Sequence, residues 1–69
     1  MMEEFEVGQI VNTPYGQGEV WKISDIAVHV RHKATGINAR RGDYTYMRFM
    51  FNKTHHSQTP IETLIELNK

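Results

Sequence analysis

The chain has 69 residues, room for one small domain, with no cysteine and a formal net charge of zero from eight Lys+Arg against eight Asp+Glu. That composition excludes a disulfide scaffold, a thiol nucleophile and a thiolate zinc site. It also lacks any apolar run near the roughly 20 residues of a membrane span, and so short a chain has a core worth only about 3–5 kcal/mol net, thin support for a deep active site.

In chain order, Met1-Met2-Glu3-Glu4 reads as a frayed acidic tip. A secretory leader would be basic and then apolar there, so a cytoplasmic protein is expected. Residues 5–11 predict a first strand, and Asn12 to Gly18 a tight connection, with Pro14 fixing φ and Gly16 and Gly18 permitting positive φ. Glu19 to Ile23 is rich in strand formers. Ser24-Asp25 turns the chain, and Ile26 to His32 alternates, with Ile26, Val28 and Val30 on one face and His29 and Arg31 on the other. Lys33 to Asp43 predicts a long loop. Tyr44 to Phe51 is the longest strand candidate, with Thr45, Met47, Phe49 and Phe51 facing one way and Tyr44, Tyr46, Arg48 and Met50 the other. A polar turn, a short strand at 57–59, a single helical turn opened by Pro60 and a terminal strand complete the prediction.

About five short strands without a long helix describe an all-β fold, a small closed barrel spanning residues 1–69 as one domain. The expected core is Val11, Val20, Ile26, Val28, Val30, Met47, Phe49, Phe51, Ile61 and Leu64.

Val7-Gly8-x-x-Val11-x-x-Pro14-Tyr15-Gly16-x-Gly18-x-Val20 resembles the opening of Tudor-like domains of the SH3-like barrel fold. It is similar to the C-terminal Tudor-like domain of UvrD-type helicases and to the RNA-polymerase-interacting domain of CarD-type regulators. The Phe49-x-Phe51 strand and Thr59-Pro60-Ile61-Glu62-Thr63-Leu64 resemble their closing segment. The Pro14-Tyr15-Gly16 turn is one residue shorter than the usual pattern, and residues 33–43 exceed a plain hairpin turn. The resemblance implies a five-stranded SH3-like barrel that binds nucleic acid or RNA polymerase and catalyses nothing.

The charge is unevenly distributed. Residues 1–20 carry four acids and no base, whereas residues 21–56 carry seven bases against two acids, a net of +5, and all four histidines. A basic stretch of this kind attracts phosphates or an acidic partner once folding gathers it on one face. Tyr44, Tyr46 and Arg48 align on one side of their strand, a pattern that suits base stacking or a protein hot spot, and equally cross-strand pairing that only stabilises the sheet. Arg40 and Arg41, with Lys33 beside them, present guanidinium forks for phosphate or remain a solvated loop. Trp21 points outward if Val20 faces the core, as the resemblance implies, but a small barrel needs bulk and a core position is the expectation.

Other motifs carry no chemistry. His29 and His32, three apart on a strand, point to opposite faces, and His55-His56 lie in a turn without a carboxylate at ligand spacing, so neither metal nor any other cofactor is expected. Arg41-Gly42-Asp43 spells a cell-adhesion tripeptide by chance, and Gly16-Gln17-Gly18 lacks the context of a nucleotide fingerprint. The expected function is that of a non-enzymatic accessory or regulatory protein of transcription or DNA transactions. It binds nucleic acid, or a polymerase- or helicase-type protein, through Lys22, Arg31, Lys33, Arg40, Arg41, Tyr44, Tyr46 and Arg48. The alternative is a purely protein-binding modulator, such as a phage-type inhibitor of a host polymerase or helicase. No membrane or small-molecule partner is expected.

Overall fold

The computed structural model describes residues 5–33 and 43–69. Strands β1 (Ile10–Thr13), β2 (Gly16–Ile23), β3 (Ala27–Lys33), β4 (Tyr44–Met50) and β5 (Thr59–Pro60) form one sheet in the order β1-β2-β3-β4-β5, followed by helix α1 (Ile61–Leu67). The first four strands are an antiparallel meander, and β5 joins β4 in parallel, pairing Phe49 with Thr59 and Met50 with Pro60. The sheet is therefore mixed, and it curls into a half-barrel around one apolar side.

The all-β expectation, and with it the SH3-like barrel, is corrected by α1. Ile61, Leu64 and Ile65 share one helical face, and the first two are buried while Ile65 packs against the core cluster. Drawn as a strand, the same residues would place Leu64 on the face of Glu62 and Glu66. The helical spacing removes that conflict by leaving both acids exposed. Pro60 stands at the N-cap in extended geometry, one residue before the predicted position, and no terminal strand follows.

The first strand begins later than predicted. Residues 6–9 form a turn in which the Gln9 amide donates to the Glu6 carbonyl, 3.1 Å, with Gly8 at φ 95°. The connection from β1 to β2 is only Pro14-Tyr15. Thr13 Oγ1 donates to the Gly16 carbonyl and accepts the Tyr15 amide, at 2.6 and 3.1 Å, which closes this turn. Gly16 adopts φ 117°, as expected of it. Gly18 serves a different need: a Cβ there would lie 2.7 Å from Val30 Cγ1 and 2.9 Å from the Arg31 carbonyl oxygen.

The core comprises Phe5, Val11, Val20, Val28, Val30, Phe49, Ile61 and Leu64, flanked by Ile23, Met47, Phe51 and Ile65. Ile26, expected inside, is 50% exposed because it stands in the turn just before β3 begins. Phe5, Ala27 and Met50 are buried instead. The long loop expected between Lys33 and Asp43 lies, apart from those two end residues, outside the described residues. No helix among the described residues is long and apolar enough to cross a membrane.

Leu64 is fully buried, so Leu64→Ala is expected to cost about 2–5 kcal/mol, most of the stability of so small a core. Gly18→Ala is expected to cost about 1–3 kcal/mol by overpacking Val30. Urea unfolding followed by circular dichroism checks both, with the exposed Gln17→Ala as the near-neutral control.

Candidate aromatic and basic binding face

The outer face of β2, β3 and β4 is shaped by a break in the alternation of β2. Val20 pairs with Val30, Lys22 with His29 and Ile23 with Val28, so the register shifts by one between Val20 and Lys22. The extra residue is Trp21. This β-bulge seats Val20 and Ile23, three apart, on the same inner face as Val28 and Val30, two apart. Its second effect is to turn both Trp21 and Lys22 outward beside His29. Trp21 is 39% exposed, so the core placement expected for it is corrected. The signal was present in the unequal spacing of the apolar residues on the two strands.

The register of β3 with β4 places His29 opposite Arg48, Arg31 opposite Tyr46 and Lys33 opposite Tyr44. The rings then form a continuous strip. Trp21 meets Tyr46 edge-on at 5.6 Å between centroids and His29 at 6.0 Å, and Tyr46 meets Tyr44 at 6.3 Å. Tyr44 and Tyr46 are 40% and 59% exposed. The Arg31 guanidinium carbon lies 4.5 Å from the centroid of the Tyr44 ring, and its Nη2 is 3.4 Å from Glu19 Oε1. Arg31 is thus held from two sides, with a neighbouring carboxylate, while Lys22 and Arg48 stand exposed along the strip.

Of the eight residues singled out from sequence, Lys22, Arg31, Tyr44, Tyr46 and Arg48 are brought together here, and Lys33 lies at the end of the face. Arg40 and Arg41 lie outside the described residues. Trp21 and His29 are the members that sequence reasoning left out. Among the described residues no group of three or more His, Asp or Glu is placed to hold a metal ion. The chain matches no protein-family model, no curated protein and no solved structure. The likeness to helicase and CarD-type domains therefore rests on the turn and closing motifs alone.

His29 sits between two cations. Burial, then Lys22, then Arg48 lower its pKa below the ordinary imidazole value of 6.5. Its Nε2 is 2.9 Å from Ser24 Oγ. Because the unfolded chain takes up this proton more readily than the fold, the stability from neutral His29 is complete above about pH 6.5 and declines as the pH drops toward the lowered folded value. His29→Gln is expected to flatten that part of the profile. Thermal melts between pH 5 and 7.5 check it, and superimposable profiles for the two proteins would contradict it.

Proposed function

We propose that the chain is a non-catalytic binding module that holds single-stranded nucleic acid across the outer face of β2–β4, as an accessory of transcription or DNA transactions. The observation that carries this reading is the exposed strip of Trp21, Tyr46 and Tyr44 with bases on both sides. Unpaired bases have two free π-faces, and stacking on protein rings contributes about 1–3 kcal/mol per base without a sequence requirement. Lys22, Lys33 and Arg48 flank the rings and supply positive charge for the phosphates. Arg31, held by Glu19 and Tyr44, acts as a positioning residue for the Tyr44 ring. A duplex hides its base faces, so single strands are the preferred form. The neutral sum of the whole chain keeps affinity modest.

Fluorescence anisotropy with labelled single-stranded and duplex DNA and RNA at about 50 and 200 mM salt tests the reading. Three phosphate contacts on a single strand give a logarithmic salt slope of about −2, so the fourfold rise in salt is expected to weaken binding by tenfold or more. Tyr46→Ala is expected to weaken it at both salt concentrations, whereas Arg48→Ala also lowers the salt slope. Trp21 is the only tryptophan, so its emission reports stacking directly and is expected to be quenched on binding. Absence of binding at 50 mM salt overturns the proposal and leaves the rings to a protein partner, whose binding would respond weakly to salt.

A further inference from the structure

One group on the outer face is ill suited to phosphate. The register sets Ile10, Glu19, Arg31 and Tyr46 in a single row across the sheet. Glu19 brings a carboxylate into a row whose neighbours Arg31 and Tyr46 belong to the aromatic and basic face. A polyanion would be repelled by it. Its hold on Arg31 uses Oε1 alone, at 3.4 Å. That is longer than the roughly 2.7–2.9 Å of a tight charge-assisted bond. Among the described residues Glu19 Oε2 has no hydrogen-bond partner.

Glu19 lines a cleft of about 200 Å³, bounded by Ile10 of β1 on one side and by Arg31, Lys33 and Tyr44 of β3 and β4 on the other. That volume suits a single base rather than a drug-sized ligand. Ile10 is 60% exposed, an apolar wall on a face that is otherwise polar or aromatic. Tyr44 is the last ring of the aromatic strip, so a strand laid along the strip leads its next base into this cleft. Lys33 also lines the cleft and is one of the side chains assigned to phosphate. The base and the phosphate of one nucleotide are thereby served within the same few residues.

From this geometry we infer that the cleft takes one guanine of the bound strand, with Glu19 accepting hydrogen bonds from the ring N1–H and the exocyclic amino group. A carboxylate offers two acceptor oxygens and no donor. Guanine presents two parallel donors on its Watson–Crick edge, and an unpaired strand leaves that edge free. Adenine and cytosine each present one donor beside an acceptor, and thymine and uracil present one donor between two acceptors. Each of these turns a lone pair toward a carboxylate oxygen. The strip of rings is indifferent to sequence, and Glu19 adds a preference at one position. This inference rests on the proposed function and deepens it by naming the base that the site selects.

Fluorescence anisotropy at about 50 mM salt tests it, with labelled thymine strands of about eight nucleotides that carry one central guanine, hypoxanthine, adenine or cytosine, or none. The guanine strand is expected to bind about tenfold tighter than the all-thymine strand. Hypoxanthine lacks the amino group and is expected to fall between the two, while adenine and cytosine match thymine. Glu19→Gln keeps an acceptor for Arg31 but exchanges the other oxygen for a donor. The Glu19 side chain is 40% exposed, so the substitution is compatible with the fold, which circular dichroism verifies. The variant is expected to lose the guanine preference while binding the all-thymine strand at least as tightly, because a negative charge has left the face. A Glu19 that merely props Arg31 would weaken every strand alike, and that result overturns the inference. Equal affinity of the parent for guanine and thymine strands, or a guanine preference that survives Glu19→Gln, overturns it as well and leaves the proposed function standing. Absence of binding to every strand overturns both. If the variant unfolds, the hypoxanthine strand with the parent protein decides alone, and affinity equal to that for guanine overturns the inference.

Discussion

Val20 and Ile23 must both reach a core that has few other ways to fill itself, and the rest of the structure depends on how that is done. A regular strand cannot send residues three apart to the same face. The bulge at Trp21 absorbs the odd residue, at the cost of a local break in the ladder between β2 and β3. Inside, Val20 lies against Val30 and Ile23 against Val28. Outside, the displaced Trp21 reaches Tyr46, two strands away, because β3 presents the compact His29 between them. The aromatic face is thus a by-product of a core requirement, and neither can be altered at β2 without the other.

The curl of the sheet creates the second constraint. A half-barrel has an open side and two edges, and 69 residues leave little chain to cover them. The last nine residues with an assigned element close it by two devices: two residues of β5 pair with β4, and α1 lays Ile61, Leu64 and Ile65 against the core. Proline suits this junction. It lacks the amide that an inner strand would need, and it stands at the edge strand and at the helix N-cap, where no amide is required. Asn68 then joins the end of α1 to the β1 edge. Helix and edge protection are one construction, which is why a reading in strands alone could not foresee it.

The elements with strict two-residue alternation were legible in sequence. Ile26 to His32 and Tyr44 to Phe51 match β3 and β4 to within a residue at each end, and their inward residues Val28, Val30, Met47 and Phe49 pack as expected. Arg31, Tyr44, Tyr46 and Arg48 were legible as one face for the same reason, whereas Lys22 reaches that face through the bulge. The failures occur where a different period or a single irregularity takes over. The bulge reversed the expected side of Trp21. The spacing of Ile61, Leu64 and Ile65 is helical, but seven residues make a weak periodic signal, which a turn followed by a strand fits as well. The uneven charge along the chain was visible, but the pairing of Glu19 with Arg31 was not, because it depends on the register across β2 and β3.

Strand β4 carries three separate demands in seven residues. Its inward side chains, Met47 and Phe49, contribute to the core. Its outward side chains, Tyr44, Tyr46 and Arg48, form one end of the aromatic and basic face. Its backbone at those same three residues points along the sheet, away from β3. In a strand the two side-chain directions are opposite and the backbone groups lie perpendicular to both, so each is addressed by a different kind of change. A side-chain truncation at Tyr46 removes a stacking surface and leaves the edge amides in place. A charge at the same position leaves the backbone intact but alters what can lie beside it. That separability lets one short strand serve the fold, a face and an edge at once.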